Sequence, residues 1–223
     1  AYIVYFFVFF VAPDLKRIIT EIWHTDEIHR KKPTPSEEAL GGLLVFEQTL
    51  WNAMPAFLRE VDDVLQENFS TSLSLTSSPI RFGSWMGGDR DGNPNVTAEV
   101  TKQVILLSRW EAAKLYEKNL TKIIRSYSME KCSNKILRKV GKTHEPYRVF
   151  LRPLRDKMRL THRSIEQHLI KNKPLDEKKL LSSKEDILKP LRVVRESLEQ
   201  NQNENLASSE LLDLMRRAKC FGI

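Results

Sequence analysis

Residues 82–97, FGSWMGGDRDGNPNVT, decide how this chain is interpreted. Within them, residues 87–94 (GGDRDGNP) place three glycines, one proline, two aspartates, one arginine and one asparagine in eight positions. Glycine and proline at this density exclude both a regular helix and a strand. An apolar run precedes this segment, and a long helical pattern opens at Thr97. A strand, a charged glycine-rich turn and a helix in this order are typical of a ligand site.

Most of the remaining chain shows the spacing of amphipathic helices. The apolar periodicity and the flanking caps predict helices over residues 14–32, 35–68, 98–126, 134–140, 146–171, 184–201 and 209–219. Thr34 with Glu37, and Ser182 with Glu185, have the spacing of capping boxes. Pro55 should kink the helix that contains it. The fold class is therefore predicted to be mainly α.

Strands are predicted only at two places. Residues 80–85 are the best candidate, and residues 220–223 look like the beginning of a second strand. One isolated strand cannot form a sheet with itself. We therefore expect the pairing partners to lie outside this chain, in a larger protein.

The charge is distributed unevenly. The whole chain carries a net charge of +7, whereas residues 101–200 hold 25 Lys and Arg against 12 Asp and Glu, a net +13. A basic half can bind acidic partners or nucleic acid, so a basic helical binding module is the alternative function. The charges alternate with acidic residues along helices and no nucleic-acid reading module accompanies them, so we expect no nucleic acid as a partner.

Neither a membrane nor a disulfide framework is expected. The apolar segment of residues 2–12 is too short to span a bilayer, which takes about 20 residues. The two cysteines, Cys132 and Cys220, have no metal-type spacing and suit a reducing compartment.

Arg90 is the candidate for substrate chemistry, and the residue types leave two interpretations open. In the first, Asp89 and Asp91 hold the guanidinium in one orientation, aimed at a phosphate or carboxylate. In the second, the two aspartates cap the turn while Arg90 pairs with a neighbouring segment. A calcium loop is excluded, because the positions that require glycine and glutamate hold Pro94 and Val100.

Residues 82–101, FGSWMGGDRDGNPNVTAEVT, resemble the bacterial phosphoenolpyruvate carboxylase family nearly residue for residue. Further segments match the family in the same order: WHTDE (23–27), LLSRW (106–110), EPYR (145–148) and LLDLMRRAKCFG (211–222). The resemblance extends from about Leu15 to Gly222. By this likeness residues 13–223 are part of the catalytic domain, and residues 1–12 are an apolar segment outside the family.

The resemblance implies a mostly helical enzyme built around an eight-stranded β/α barrel, to which this chain contributes helices and one or two strands. The family joins bicarbonate to phosphoenolpyruvate, giving oxaloacetate and phosphate for the tricarboxylic acid cycle. It uses Mg²⁺ or Mn²⁺ and works as a cytoplasmic homotetramer. By the same resemblance Arg90 would contact the anionic substrate, and Asp89, Asp91 and Asn93 would shape the loop.

The chain also departs from the family pattern. The motif TAHPTE with the catalytic histidine, the later GRGG segment and the metal-binding carboxylates are absent from residues 1–223. We therefore expect an internal fragment whose metal ligands lie elsewhere, and which makes no oxaloacetate by itself.

Overall fold

A computed structural model describes residues 12–25, 32–74 and 77–223 of the chain, which divides into two compact units, residues 1–33 and 34–223. In the first unit, helix α1 spans Ala12–His24. The helix was predicted to reach residue 32, but Thr25 already lies outside it. Residues 26–31 and the apolar segment of residues 1–11 lie outside the described part of the chain.

The second unit is helical. Its helices are α2 (Pro35–Val45), α3 (Trp51–Phe69), α4 (Ala98–Ser126), α5 (Asn134–Val140), α6 (Pro146–Lys171), α7 (Lys184–Gln200), α8 (Glu204–Ala207) and α9 (Glu210–Phe221). A π-helical turn, Phe46–Leu50, joins α2 to α3, and a 3₁₀ turn, Glu177–Lys179, precedes α7. The prediction of a mainly α chain is confirmed. None of the described helices has the length and apolar character needed to cross a membrane.

Local capping sets several helix ends where the sequence predicted them. At the start of α2, the Glu37 amide donates to Thr34 Oγ1 at 3.3 Å, and the Thr34 amide donates to Glu37 Oε2 at 2.7 Å. This reciprocal pair is the predicted capping box. Thr97 caps α4 by accepting from the Val100 amide at 3.3 Å. Gly141 ends α5 with a φ of +73°, a conformation that favours glycine.

The core forms where α4 packs along α6, with α7 and α9 against them. Each of these helices contributes fully or nearly fully buried side chains: Tyr116, Leu120 and Ile123 from α4, Tyr147, Leu151 and Met158 from α6, Leu191, Val194 and Leu198 from α7, and Leu211, Leu214 and Ala218 from α9. Burial of one large apolar side chain stabilises a fold by about 1.5–3 kcal/mol. This core therefore holds the second unit together.

Three buried tyrosines connect this core to its surroundings through their hydroxyl groups. The Tyr116 hydroxyl donates to the Gly222 carbonyl at 2.7 Å, and the Tyr127 hydroxyl donates to the Leu206 carbonyl at 3.0 Å. The Tyr147 hydroxyl lies 2.9 Å from Ser197 Oγ. Each ring is thus buried without leaving its polar end unsatisfied.

Pro55 lies inside α3, as predicted, and a side chain of α9 replaces the hydrogen bond that this proline cannot donate. Proline has no N–H, so the Trp51 carbonyl four residues earlier lacks its regular α-helical donor. Arg217 Nε donates to this carbonyl at 2.7 Å. The same guanidinium lies 5.3 Å from the centre of the Trp51 ring and donates to Asn119 Oδ1 at 3.1 Å. Arg217 therefore joins α9 to both α3 and α4.

The predicted strands are not formed. Residues 80–85 are irregular, and Cys220 and Phe221 belong to α9 rather than to a strand. A strand requires a hydrogen-bonded neighbour, and residues 12–25, 32–74 and 77–223 contain no second strand to supply one. The apolar character of residues 80–85 instead serves packing, since Ile80 and Phe82 contact a small cluster that contains Met54 and Leu58.

The second predicted capping box is also wrong. Ser183 is the N-cap of α7 and its side chain makes no capping hydrogen bond. Asp186, rather than Glu185, accepts from the Ser182 amide at 3.0 Å, and this bond lowers the pKa of the Asp186 carboxyl. The Glu185 carboxylate instead forms an ion pair with Arg192, with Oε2 2.9 Å from Nη1.

A half-buried ion-pair cluster links α4 to α6. Glu117 of α4 accepts from Arg159 Nε at 2.6 Å and lies 2.6 Å from His162 Nε2. Burial by itself would raise the pKa of the Glu117 carboxyl, but the hydrogen bonds from Arg159 and His162 outweigh it and hold that pKa below the ordinary value of 4.5. The ionised form of Glu117 is therefore favoured by folding.

We predict that Arg217→Met lowers the free energy of unfolding by about 2 kcal/mol, because the carbonyl of the buried Trp51 loses its donor. In a Pro55→Ala chain the new amide of residue 55 can donate to the Trp51 carbonyl, so Arg217→Met should lower the free energy of unfolding by less. Urea denaturation followed by circular dichroism measures both values. Arg163→Met is the control, since Arg163 is exposed and has no partner among the described residues. Equal losses for Arg163 and Arg217 would contradict the assignment.

We predict that Glu117→Gln removes a pH-dependent part of the stability. A lowered pKa stabilises the fold fully above pH 4.5, and this contribution is lost as the pH falls through the folded-state pKa. The stability difference between the unmodified chain and Glu117→Gln should therefore be largest above about pH 4.5 and shrink below it. Thermal unfolding from pH 3 to pH 7 tests this. Glu166→Gln, at an exposed position of α6, should show a constant small difference; the same pH profile for both variants would argue against the cluster.

Candidate active site

Residues 87–94 form a loop between the irregular segment that ends at Met86 and the N-cap of α4. The amides of Gly88 and Asp89 both donate to the Trp85 carbonyl, at 3.0 and 2.9 Å, and close a first turn. Gly87 and Gly92 have φ values of +69° and +73°, which favour glycine. The loop is therefore a pair of tight turns, as its glycine and proline content predicted.

The root of the loop is held between two helices. On one side, the Met86 side chain occupies the space that a Cβ of Gly42 in α2 would need, 2.1 Å from its Cε. On the other side, a Cβ at Gly87 would lie 2.5 Å from Val104 Cγ2 of α4. Thr101 Oγ1 of α4 also donates to the Gly87 carbonyl at 2.7 Å. The absence of a side chain at Gly42 therefore permits this close packing, whereas a Cβ at Gly41 would have nothing within 4 Å.

The tip of the loop carries the candidate substrate residues, and all four are exposed. These are Asp89, Arg90, Asp91 and Asn93. The Asn93 side chain accepts from the Asn95 amide at 3.0 Å and so shapes the end of the loop. The Arg90 guanidinium has no hydrogen bond or ion pair with any described residue, and neither Asp89 nor Asp91 orients it. Exposed ion pairs are worth little in water, which explains why neither of the two expected pairings forms.

A cavity of about 220 Å³ lies beside the loop root. Its wall is mostly aromatic and apolar, with Phe46, Trp51, Phe82, Met86 and Phe221 among the lining residues. Phe221 stacks on Phe82 with ring centres 5.1 Å apart and on Trp51 at 5.3 Å. The indole N–H of Trp51 is buried and has no acceptor in the described part of the chain.

Glu111 of α4 is the one charged residue among the described residues that line this cavity. Its side chain is 8% exposed, and Lys114 Nζ lies 3.3 Å from both carboxylate oxygens. Burial raises the pKa of the Glu111 carboxyl above its usual range, although the Lys114 ammonium opposes this. Glu111 was not among the residues predicted from the sequence, although it continues the helical face of Val104 and Leu115. A charge at such a position is the signal that could have identified it.

The described residues do not form a metal site. No group of three His, Cys, Asp or Glu side chains within residues 12–25, 32–74 and 77–223 lies close enough together to hold an ion. The donor set of this region therefore does not fit a divalent cation. The loop, in contrast, offers an unpaired guanidinium and exposed backbone, which suit an anion.

The profile of one protein family, phosphoenolpyruvate carboxylase, matches residues 11–223. Three curated proteins named phosphoenolpyruvate carboxylase are similar to the chain. The protein of Pseudomonas aeruginosa is 45% identical over 94% of the chain, that of Acinetobacter baumannii 42% over 94%, and that of Hahella chejuensis 44% over 96%. The chain spans 24% of the length of each of these relatives.

We predict that Gly87→Ala destabilises the chain by about 2–4 kcal/mol, because it adds both backbone strain and overlap with Val104. Gly92→Ala is the matched control: its φ is also positive, but a Cβ there meets nothing within 4 Å. It should cost only the strain, about 1–2 kcal/mol. Urea unfolding of both variants measures the difference. Val104→Ala removes the atoms that the new Cβ would overlap, so adding it to Gly87→Ala should recover part of the lost free energy of unfolding. Equal losses of stability for Gly87→Ala and Gly92→Ala would refute the contact.

Proposed function

Because the chain belongs to the phosphoenolpyruvate carboxylase family, we propose that the whole protein joins bicarbonate to phosphoenolpyruvate and releases oxaloacetate and inorganic phosphate. The observation that carries this proposal is the family match over residues 11–223, together with relatives at 42–45% identity over 94–96% of the chain. The whole protein would then be a lyase that fixes carbon and supplies the tricarboxylic acid cycle.

We extend this proposal to the properties of the whole protein. It is a cytoplasmic homotetramer built around a β/α barrel, to which this helical chain contributes one part. Mg²⁺ or Mn²⁺ is its cofactor, and we assign the metal ligands to the part of the whole protein that lies outside this chain. In this proposal the 223 residues alone make no oxaloacetate.

Arg90 supplies the anion contact in this proposal. Its guanidinium is exposed and has no partner among the described residues, so no existing pair must be broken before a ligand binds. The planar fork of arginine matches two oxygens of a phosphate or carboxylate, and phosphoenolpyruvate carries both groups. Asp89, Asp91 and Asn93 shape the turn around Arg90 and do not neutralise it.

The rigid root and the free tip of the loop support this role. The root is fixed by Gly42, Val104 and Thr101, whereas the Arg90 side chain remains free to meet a substrate. A backbone that is already fixed leaves only the arginine side chain to be ordered when a ligand binds, which lowers the entropic cost of binding. Arg90 therefore serves as the anion contact for the substrate.

A basic binding module is the less favoured alternative. Many basic side chains of residues 101–200 are paired with carboxylates within the fold, as in Arg159–Glu117, Lys135–Glu196 and Arg192–Glu185. Such pairing spreads and partly neutralises the charge, whereas nucleic-acid binding requires a concentrated basic face.

We predict that Arg90→Ala in the full-length protein lowers kcat/KM for phosphoenolpyruvate by about 100-fold, because a bidentate charge-assisted contact is lost. Arg90→Lys should recover only part of it, since an ammonium lacks the planar fork. Oxaloacetate formation is followed by coupled reduction to malate.

Arg81→Ala is the control for this experiment. Arg81 is exposed, lies shortly before the loop and has no partner among the described residues, so its removal should leave kcat/KM near normal. Near-normal turnover and KM for Arg90→Ala would rule out the anion contact. Absence of oxaloacetate formation by the unmodified full-length protein would overturn the proposed activity, and metal-dependent formation by the 223 residues alone would overturn their proposed inactivity.

A further inference from the structure

We propose that Thr101 is a positioning residue for Arg90, whose hydroxyl sets the place at which the loop presents the guanidinium. This inference rests on the proposed function, in which Arg90 contacts the anionic substrate. Thr101 lies in the first turns of α4 and reaches the loop only through the Gly87 carbonyl. It acts on the substrate through the backbone of the loop, not by contact.

The Thr101–Gly87 hydrogen bond is the tertiary bond that holds the loop. Thr101 Oγ1 lies 2.7 Å from the Gly87 carbonyl and 3.1 Å from the Thr97 carbonyl of its own helix. A hydroxyl has one proton, so one acceptor is served at a time, and the shorter distance favours Gly87. Among the described residues, no other side chain outside residues 87–94 donates to this loop or accepts from it.

The path from this bond to Arg90 is short and stiff. Gly87 cannot move towards α4, because Val104 fills the space beside its Cα. The next two amides, of Gly88 and Asp89, both bond to the Trp85 carbonyl and close a turn directly before Arg90. Because the hydrogen-bonded turn restricts the backbone between Gly87 and Arg90, a shift in the position of Gly87 should also shift Arg90.

Among the described residues, the tip of the loop makes no tertiary hydrogen bond that could replace that of Thr101. The side chains of Asp89, Arg90 and Asp91 are exposed and make no hydrogen bond or ion pair within the described ranges. The bonds of Asn93 are local to the loop. Loss of the Thr101 hydroxyl should therefore alter where Arg90 lies, while the apolar core at the other end of α4 remains intact.

The experiment compares three variants of the full-length protein. Thr101→Val removes the hydroxyl at nearly constant volume, and Thr101→Ser keeps it. Thr121→Val makes the same change on the same helix, at another half-buried threonine that has no hydrogen-bond partner among the described residues. We expect Thr101→Val to raise KM for phosphoenolpyruvate about fivefold to tenfold with kcat within about twofold, as for loss of one ground-state contact. Thr101→Ser and Thr121→Val should remain near the unmodified values.

A double-mutant cycle with Arg90→Ala separates positioning from a structural effect. If Thr101 acts through Arg90, Thr101→Val should cause no further rise in KM once Arg90 is alanine. Equal rises in both backgrounds, a KM unchanged by Thr101→Val, or a Thr101→Ser variant as impaired as Thr101→Val would each overturn the inference. Thermal unfolding measured in parallel identifies a fold defect: a lowered midpoint with an equal loss in both backgrounds assigns Thr101 a structural role only.

The outcomes also separate this inference from the proposed function. An unmodified full-length protein that forms no oxaloacetate overturns the proposed function and, with it, the role of Thr101. An active protein in which Arg90→Ala impairs binding but Thr101→Val does not overturns only the positioning role.

Discussion

The missing N–H of Pro55 is the constraint on which the arrangement of the second unit depends. It leaves the Trp51 carbonyl without its regular α-helical donor, and Arg217 supplies one from α9. This bond fixes the end of α9 against α3 and brings Phe221 into stacking contact with Trp51. Phe221 in turn stacks on Phe82, five residues before the loop. A series of contacts therefore connects the missing hydrogen bond in α3 with the segment that leads into the loop.

One face of α4 then determines how the loop continues. Thr97 caps the helix, Thr101 bonds to the Gly87 carbonyl, Val104 packs against Gly87, and Glu111 lines the cavity beside the loop. These residues recur at helical spacing, so a single rigid element carries the cap, the anchor, the packing contact and the buried charge. Such a scaffold fixes the backbone that leads to Arg90, while the guanidinium itself is exposed and has no partner among the described residues.

Much of this architecture was predictable, because helix ends depend on neighbouring residues. The Thr34–Glu37 capping box, the Thr97 cap and the glycine stop at Gly141 appear where the sequence placed them. The second capping box does not form: Glu185 pairs with Arg192 two turns away, and Asp186 accepts from the Ser182 amide instead. The apolar run of residues 80–85 predicted a strand, but apolar composition alone cannot distinguish a strand from a buried irregular segment when no partner strand is present.

By itself, the sequence determined the helical class and the turn at residues 87–94, since these follow from local composition and spacing, and it offered Arg90 as a candidate. Only the tertiary structure decided which groups hold the loop. Gly42, Thr101 and Val104 belong to helices on either side of it, and Arg217 reaches a carbonyl 166 residues earlier in the chain. Such pairs are set by packing between distant elements, and no local pattern encodes them. The same packing leaves Arg90 exposed and without a partner in the described part of the chain, whereas the residue types alone allowed two different pairings.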